Sequence, residues 1–349
     1  MKLIMNNFKI LEDSSLRPNI VLVGIGKFGK NHLRVWRMLQ SRGLCKLRGI
    51  VDVSAETLKS ISKEIKVETS YDLEYFLDKE DVDAFDVVTP TNTHYEICKK
   101  VLEAGKHVLV EKPLTTSYNE AKQLVQIAEK QSKILMAGHI FRYNSAVRKI
   151  RELINKGEIG QLFYMVGHFT GLKDPRLDSG ALFNFTTHHI DIYDYILGRL
   201  PDEIWCCTSH FLGRKHFEDI AFITLKYAPN ILGTIEGSWL SPSKARDLTL
   251  VGSNKSISCD LLKQTIILHS SHIENRNGIP KVVNMGNKEI IMTFEEPLQL
   301  ELCDFIKSIK NGKLPLSNGR TSLNVVRIAE KALESSRLGR SVKLNENLE

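Results

Sequence analysis

The stretch N-I-V-L-V-G-I-G-K-F-G, residues 19–29, decides the fold of this chain. An apolar run typical of a buried strand leads directly into G-x-G-x-x-G, and a helical pattern follows over residues 30–40. In such a unit the first glycine allows a tight turn, the second lets a pyrophosphate approach the backbone, and the third allows helix–strand contact. N–H groups at the helix start then face the phosphate charge. The motif therefore predicts dinucleotide binding by Gly24, Ile25, Gly26, Lys27, Phe28 and Gly29.

Strand and helix patterns alternate through residues 1–140. Further short apolar strands are expected near residues 47–53, 84–88, 107–110 and 134–137, with helical patterns between them. Short apolar strands that are regularly separated by helices indicate a parallel sheet covered on both faces. We therefore predict an α/β fold whose N-terminal domain, residues 1–140, is a Rossmann doubly wound parallel sheet.

The pattern changes at residue 141. Strand-like segments dominate residues 162–268, several of them as hairpins, and two helical patterns end the chain. Residues 141–349 are therefore predicted to form an α+β domain for substrate binding and oligomerisation, built on an open, mostly antiparallel sheet. The outer face of such a sheet needs a cover, so we expect a homodimer or homotetramer through this sheet.

Composition narrows the class of protein. The 349 residues carry a net charge of +7, with 42% hydrophobic and 26% charged residues, as in ordinary soluble globular proteins. The basic excess forms no tract, so it favours an acidic or phosphorylated small molecule over nucleic acid. No apolar run is long enough for a membrane span, and residues 1–18 show no secretory pattern. Six cysteines without a C-x-x-C motif suit free thiols in the cytoplasm.

Asp52 bears on the choice of dinucleotide. It ends the second predicted strand, 23 residues after Gly29, and no Lys or Arg follows it until Lys59. A carboxylate there accepts hydrogen bonds from ribose hydroxyls and repels a 2′-phosphate. The pattern favours NAD(H) over NADP(H), although a strand end or a helix N-cap is the alternative role for Asp52.

Three later segments carry a family resemblance. They are T-P-T-N-T-H at residues 89–94, E-K-P-L at 111–114 and G-H-I-F-R-Y-N at 138–144. With the glycine loop, they make the chain resemble the glucose–fructose oxidoreductase, inositol dehydrogenase and rhizopine catabolism family (Gfo/Idh/MocA) over nearly its whole length. The resemblance implies a Rossmann domain, a second domain whose sheet makes a dimer or tetramer, and reversible oxidation of a sugar or polyol by a nicotinamide.

The same resemblance implies roles for individual residues. It places His188 on the substrate side, and the sequence after the glycine loop is most similar to members that oxidise nucleotide-linked amino sugars. The positions that it places beside the cofactor are Thr89, Pro90, Thr91, His94, Glu111, Lys112 and Arg142.

Lys112 is the first catalytic candidate. It follows a strand of the parallel sheet, and ligands of open α/β sheets bind outside the carboxyl ends of the strands. An ammonium there can bind the substrate oxygen and stabilise alkoxide character during hydride transfer. The alternative is a solvated surface lysine.

His188 is the second catalytic candidate, as a general base with an ordinary pKa of roughly 6.5. The family usually has Asp four residues before this histidine, whereas this chain has Asn184. The spacing predicts that Asn184 and His188 share a helical face. An amide orients a ring or a substrate but supplies no negative charge. Either His188 works with Lys112 alone, or the activity is modified or lost.

Substrate selection is expected from the second domain. Lys173 and Arg176 precede His188 on a predicted loop and can grip a carboxylate or phosphate, or else they are simply exposed. His189 and Asp191 lie beside His188, but no further ligands follow at zinc-type spacing, so we predict no metal site.

These observations favour an NAD(H)-dependent oxidoreductase acting on a secondary alcohol of a sugar or polyol. The substrate class includes a UDP-linked amino sugar oxidised at its 3-position and a uronic acid. One alternative is a catalytically silent NAD-binding regulator, which Asn184 favours. Another is a lyase or glycosidase of the same fold that recycles its NAD.

Overall fold

The protein is described here from a computed structural model over residues 17–214 and 216–345. Residues 1–16, most of the segment predicted to lack a secretory signal, lie outside this description. The chain begins with a six-stranded parallel sheet in the order β3-β2-β1-β4-β5-β6. Its strands are β1 (Asn19–Val23), β2 (Lys46–Val51), β3 (Glu68–Ser70), β4 (Ala84–Val87), β5 (His107–Val110) and β6 (Leu135–Ala137).

The strand order of this sheet reverses beside β1. This is the doubly wound Rossmann topology, in which ligands bind at the carboxyl ends of the strands near the reversal. The central strands are almost completely buried because helices cover both faces. These helices are α1 (Gly29–Ser41), α2 (Ala55–Glu64), α3 (Glu74–Leu77), α4 (His94–Glu103) and α5 (Tyr118–Lys130).

A second, nine-stranded sheet follows, and only its β7–β10 pair is parallel. Its order is β16-β13-β12-β11-β7-β10-β9-β8-β17, and β14 and β15 form a separate hairpin. The strands are β7 (Leu162–Thr170), β8 (Glu203–Ser209), β9 (Ile220–Tyr227), β10 (Ile231–Ser238), β11 (Ala245–Gly252), β12 (Ser256–Asp260), β13 (Thr265–His269), β14 (His272–Arg276), β15 (Ile279–Val283), β16 (Asn287–Ile290) and β17 (Val342–Lys343). The predicted fold class, a Rossmann sheet followed by a mostly antiparallel sheet, is confirmed.

Two helices accompany the second sheet, α6 (Ser145–Asn155) and α7 (Thr187–Leu197). Helix α7 is buried along most of its length and packs on β7 and β10. Glycines in those strands make room for it, since a Cβ at Gly167 would lie 2.1 Å from the His189 ring. A Cβ at Gly233 would lie 2.9 Å from the ring of Tyr193. The second sheet is therefore shaped to receive the helix that carries His188.

Helices α8 (Pro297–Asn311) and α9 (Gly319–Leu338) follow the second sheet's strands up to β16, and β17 comes after them. Contacts divide the protein into one unit of residues up to 140 with 296–323, and another of 141–295 with 324 onward. The sequence pattern predicts a single domain over all of residues 141–349, whereas residues 296–323 pack with the first unit. The difference arises because α8 packs on α1, which an amphipathic pattern cannot reveal.

Two further findings concern the whole described chain. Within residues 17–214 and 216–345, no helix has the length and apolar content that a membrane crossing requires. All six cysteines are free thiols, and Cys207 alone among them is exposed.

Candidate active site

The glycine loop joins β1 to α1, and each of its three glycines has a different steric role. Gly24 has φ +92°, and a Cβ there would lie 2.5 Å from the Val88 carbonyl oxygen. A Cβ on Gly29 would lie 2.1 Å from the Gly24 carbonyl oxygen, so this glycine permits the helix to start against the loop. A Cβ on Gly26 would meet nothing within 4 Å. The open side of the loop is thus at Gly26, where a pyrophosphate fits against the backbone.

Asp52 lies directly after β2 and holds the glycine loop. Its Oδ2 accepts a 2.7 Å hydrogen bond from the Ile25 N–H, and its Oδ1 accepts one of 2.8 Å from the Ser54 N–H. The N-cap of α2 is Ser54, whose Oγ accepts from the Thr57 N–H. Asp52 is therefore an anchor of the loop, and its remaining lone pairs can accept hydrogen bonds from ribose hydroxyl groups.

A groove of about 970 Å³ extends from the glycine loop between α1 and α2. Glu56 and Glu64 line the α2 side, and Thr57 and Ser60 add hydroxyl groups. The cations of the groove come from the loop and α1 at helical spacing, which places them on one face. They are Lys27, Lys30, Arg34 and Arg37. A search for Lys or Arg after Asp52 overlooks them because they precede it in the chain.

His94 joins two of the segments that carry the family resemblance. Its Nδ1 lies 2.8 Å from the carbonyl oxygen of Pro113, and its Nε2 lies 3.1 Å from that of Thr89. Thr93 closes the same turn through a 2.7 Å hydrogen bond to the Thr89 hydroxyl. The ring of His94 thus fixes the turn after β4 against the turn after β5.

A buried polar cluster supports the turn that carries Lys112. The His32 Nδ1 on α1 lies 2.7 Å from Asp86 Oδ2, and its Nε2 lies 3.2 Å from Glu111 Oε1. Glu111 Oε2 accepts from the Lys112 N–H at 3.2 Å. A Cβ on Gly138 would approach Glu111 Oε1 to 2.8 Å, so β6 also leaves room for this carboxylate. The chain His32–Glu111–Lys112 therefore connects α1 to the end of β5.

Charge holds this cluster together. Asp86 is completely buried in β4 and also accepts a 2.6 Å hydrogen bond from the Trp36 indole N–H. Burial of the His32 imidazole opposes its charge, but Asp86 and then Glu111 outweigh burial and raise the pKa of His32 to about 10. His32 is therefore an imidazolium at neutral pH, bonded to two carboxylates.

Sequence reasoning missed His32 and Asp86. A usable signal was present, because a polar residue three positions after Gly29 lies on the buried stripe of α1 with Val35, Trp36 and Leu39. Asp86 likewise interrupts an otherwise apolar buried strand. Polar residues on buried stripes need partners, which points to a pair.

In the second unit, His188 lies at the start of α7 and is 8% exposed. The residues before it, Leu182–Thr186, form a π-helical turn that contains Asn184. Short π-helical segments are frequent at functional sites. Asn184 is also 8% exposed, so both members of the predicted pair are nearly buried.

Aromatic rings surround His188. Its ring stacks on Phe169 with centroids 4.6 Å apart and meets the edge of Phe141 at 5.0 Å. Phe185 and Trp239 extend this cluster, with their centroids 4.2 Å apart. Such walls keep water from the imidazole and fix its plane.

Arg142 is bonded within the second unit. Its Nε donates to Asp191 Oδ1 and its Nη2 to Asp194 Oδ2, both at 2.7 Å. Burial raises the pKa of Asp191, and attraction to Arg142 opposes this effect, so that the pKa is raised to about 6. The guanidinium thus joins the segment after β6 to α7, and its role at the cofactor stays a prediction.

Lys173 and Arg176 differ in their surroundings. The Arg176 Nε and Nη2 both donate to the Asp178 carboxylate at 2.7 Å. The Lys173 Nζ lies 4.5 Å from the centroid of Phe185 and 4.9 Å from that of Trp239. Of the two, Lys173 is the one beside the aromatic cluster that contains His188.

His189 is engaged in a backbone hydrogen bond. Its Nε2 lies 2.8 Å from the Asp247 carbonyl oxygen, and burial lowers the pKa of this imidazole to about 4. In the described ranges, no group of three or more His, Cys, Asp or Glu side chains is arranged to hold a metal ion.

Two family models match the chain in succession. The first is described as "Oxidoreductase family, NAD-binding Rossmann fold" and matches residues 18–139. The second is described as "Oxidoreductase family, C-terminal alpha/beta domain" and matches residues 151–344. Both carry the Gfo/Idh/MocA name, and the second alone spans more than half of the chain.

Individual proteins show the same likeness. Myo-inositol 2-dehydrogenase of Thermotoga maritima is 27% identical over 94% of this chain and 98% of its own. UDP-N-acetylglucosamine 3-dehydrogenase of Acidithiobacillus ferrooxidans is 24% identical over 82% of this chain and 87% of its own. A solved structure of levoglucosan dehydrogenase with NADH and levoglucosan has a TM-score of 0.83 and 20% identity, covering 95% of this chain and 100% of that chain. This structural likeness shows the fold.

The His32 cluster makes the stability of the protein depend on pH. In His32→Gln, Asp86 stays buried without its cation, so we expect a loss of about 3–5 kcal/mol in the free energy of unfolding at pH 7. The folded pKa of His32 is raised, so its charge stabilises fully below roughly pH 6.5 and this contribution is lost as pH rises through about 10. Denaturant unfolding of wild type and variant at pH 6, 8 and 10 measures the difference.

The matched control is His210→Gln, which removes an exposed histidine from the second unit. We expect this control to change stability by less than about 0.5 kcal/mol. A gap between wild type and His32→Gln that stays constant from pH 6 to pH 10 would show that the charge of His32 is not involved.

Proposed function

Because this chain belongs to the Gfo/Idh/MocA oxidoreductase family, we propose that it is an NAD(H)-dependent dehydrogenase of a sugar or polyol secondary alcohol. The observation that carries the proposal lies in the first unit. The glycine loop follows β1 and Lys112 follows β5, and both strands belong to one parallel sheet. Their carboxyl ends share an edge, so the cofactor loop and the amine serve the same ligand-binding edge.

The residues of the first unit suit a bound dinucleotide. Gly26 leaves space for the pyrophosphate, and the start of α1 would face its negative charge. Asp52 would accept hydrogen bonds from the ribose hydroxyl groups. NAD supplies the hydride acceptor for the alcohol when it is bound. We infer a preference for NAD(H) because the carboxylate of Asp52 repels a 2′-phosphate. Lys27 and Lys30 would attract that phosphate, and we infer that the repulsion by Asp52 outweighs this attraction.

Lys112 is proposed to bind the oxygen of the reacting hydroxyl and to stabilise its developing negative charge. Its backbone is held by Glu111, and Glu111 is held by His32, so the ammonium projects from a turn with little freedom. Preorganised donors of this kind contribute most when they need no rearrangement during reaction.

His188 is proposed as the general base that takes the hydroxyl proton. Its ring is oriented by stacking on Phe169, and Asn184 stands where the family usually has an aspartate. Without that carboxylate, nothing at position 184 adds negative charge to stabilise an imidazolium. We therefore assign most of the alkoxide stabilisation to Lys112.

The substrate class follows from the relatives. Those named above act on myo-inositol, UDP-N-acetylglucosamine and levoglucosan, each of which offers a ring carbinol. We propose a cyclic sugar or polyol for this chain, with a nucleotide-linked amino sugar as one member of the class. Because these relatives are named dehydrogenases, they favour net oxidation over a silent regulator or a recycling lyase.

We also propose that the second sheet pairs with a second copy of the chain. Cross-strand partners place Trp205, Thr224, Thr234, Val166 and Ile267 in one row across its outer face. From β8 to β13 the row carries no charge, and Glu289 on β16 continues it beyond Ile267. Trp205 and Ile267 are 45% and 41% exposed. An uncharged β-branched and aromatic row of this kind suits isologous pairing of two sheets.

Lys112→Met tests the proposed chemistry. This change removes the ammonium and keeps most of the side-chain volume, so NADH binding should change less than about threefold while kcat falls at least a hundredfold, about 2.7 kcal/mol. NADH titration by fluorescence and the rate of NAD reduction on a panel of inositols, sugars and UDP-sugars measure the two quantities. Lys122→Met, an exposed position on α5, is the control. Turnover close to wild type in Lys112→Met would remove this lysine from the mechanism.

Asp52→Asn tests the cofactor preference. The amide oxygen keeps one of the two hydrogen bonds that Asp52 accepts from the Ile25 and Ser54 N–H groups, and the charge that repels a 2′-phosphate is gone. The ratio of the two cofactors separates the charge from a general weakening of the loop. We expect the ratio of kcat/KM for NAD to that for NADP to fall about tenfold, equivalent to 1.4 kcal/mol. Steady-state kinetics with both cofactors give this ratio. If wild type already prefers NADP, the cations of the α1 groove outweigh Asp52 and our inference is wrong.

Trp205→Glu tests the pairing of the second sheet. A charge is costly to bury in an apolar interface, so the variant should be monomeric where wild type is dimeric or larger. Light scattering coupled to size-exclusion chromatography measures the mass. Leu262→Glu adds the same charge at an exposed turn and should leave the mass unchanged. A monomeric wild type would contradict the proposal.

A further inference from the structure

A buried cation without a carboxylate lies in the second unit. Arg246, near the start of β11, is 8% exposed. Its Nη1 donates to the carbonyl oxygens of Thr170 and Ala245. Over the described part of the chain, no carboxylate forms an ion pair with this guanidinium. Buried arginines are normally paired, because an isolated charge is costly to remove from water.

Arg246 keeps its charge despite this environment. Burial lowers the pKa of the guanidinium to about 10, which still leaves it protonated at neutral pH. The cost of its desolvation is therefore present in the folded chain, where backbone carbonyl oxygens and aromatic rings offset it without a counter-ion. An anion that binds from outside would offset this cost.

Three acidic residues of the second unit are engaged with other partners. Glu218 accepts a 2.7 Å hydrogen bond from the Leu182 N–H. Asp219 pairs with Arg214 at 2.8 Å, and Asp247 pairs with His168 at 2.7 Å. None of these three carboxylates is the counter-ion of Arg246.

The position of Arg246 relates it to the candidate base. Arg246 and Phe169 are cross-strand partners, and the guanidinium carbon lies 3.6 Å from the Phe169 ring centroid. The His188 ring lies 4.6 Å from the same centroid. Because both groups stack on Phe169 at such short distances, they lie on opposite faces of its ring. Arg246 is therefore next to the ring that orients the candidate base, and a substrate oxyanion would reach it past the edge of Phe169.

Further donors stand beside this arginine. The Lys173 Nζ lies 4.5 Å from the Phe185 ring centroid, and the Arg246 guanidinium carbon lies 5.6 Å from the same ring. The Trp239 indole N–H is buried and has no acceptor among the residues described. This corner of the aromatic cluster combines two cations and a spare N–H donor.

We propose that Arg246, aided by Lys173, binds an oxyanion of the substrate, so that the sugar oxidised here is an acid or a phosphate ester. The inference rests on the proposed dehydrogenase function and narrows its substrate class to molecules that carry a carboxylate, a phosphate or a pyrophosphate. Arg176, which is bonded to Asp178 and largely exposed, is not needed for this role.

Matched substrate pairs test the inference. We would measure NAD reduction with D-glucuronate against D-glucose, glucose 6-phosphate against glucose, and UDP-N-acetylglucosamine against N-acetylglucosamine. In at least one pair the anionic member should have a kcat/KM at least tenfold above its neutral partner. The pair that shows the preference identifies the carboxylate, the phosphate or the pyrophosphate as the oxyanion. Equal use of both members in every pair would overturn the proposal.

Variants of Arg246 assign the preference to this residue. Arg246→Ala should raise KM for the anionic substrate about 10- to 100-fold, as expected for a hydrogen bond to a charged group, with a smaller change in kcat. Arg246→Lys should recover part of the affinity because it restores the charge. Lys263→Ala removes one exposed cation from the same unit and should behave as wild type. Equal losses on anionic and neutral substrates would refute the assignment.

Direct binding separates this inference from the proposed function. If no sugar is oxidised, the dehydrogenase proposal fails, and calorimetric titration of the NADH-loaded protein with the same anionic and neutral compounds still tests the site. Selective binding of an anion that weakens at least tenfold in Arg246→Ala, and less in Arg246→Lys, would support it. Melting temperatures of both variants show whether they fold, and no selectivity in folded wild type would contradict the inference.

Discussion

The buried contact between His32, Asp86 and Glu111 is the constraint on which the first unit depends. It joins α1, which carries the cofactor loop at its start, to β4 and to the turn after β5 that carries Lys112. These elements are distant in sequence, and helix packing alone would leave their ends free to shift. A charged network with two carboxylates on one imidazolium fixes them, since a misplaced member leaves a buried charge without a partner. The position of the proposed catalytic lysine and the stability of the fold therefore depend on the same buried cluster.

The second unit reaches its geometry by packing. Gly167 and Gly233 let α7 lie close to the sheet, and the π-helical turn before it carries Asn184 next to the segment of His188. Aromatic rings then set the plane of the imidazole. The packed aromatic environment contains little water, so a charged group that is buried there needs a hydrogen-bonding or ionic partner. Arg142 finds two carboxylates, whereas Arg246 finds only backbone oxygens and rings.

Much of this could be predicted from the sequence because the signals were local. The residues 19–29 specify strand, turn and helix within one short segment, and the alternation that follows specifies a parallel sheet. The strands β14, β15 and β16 were not predicted, since their exposed side chains lack the apolar alternation that marks a half-buried strand. The return of α8 to the first unit was missed because an apolar helical face does not name its partner.

The site residues that sequence reasoning missed share one property. His32, Asp86 and Arg246 are polar groups on stripes or strands that are otherwise buried, and each gains meaning only from a partner far along the chain. For His32 the partners are in the chain, so the cluster is closed and serves structure. For Arg246 no carboxylate of the described residues forms an ion pair, and Glu218, Asp219 and Asp247 are engaged with Leu182, Arg214 and His168. Burial is costly for an arginine without a counter-ion. The absence of a carboxylate partner at Arg246 therefore favours an anionic ligand over a purely structural role.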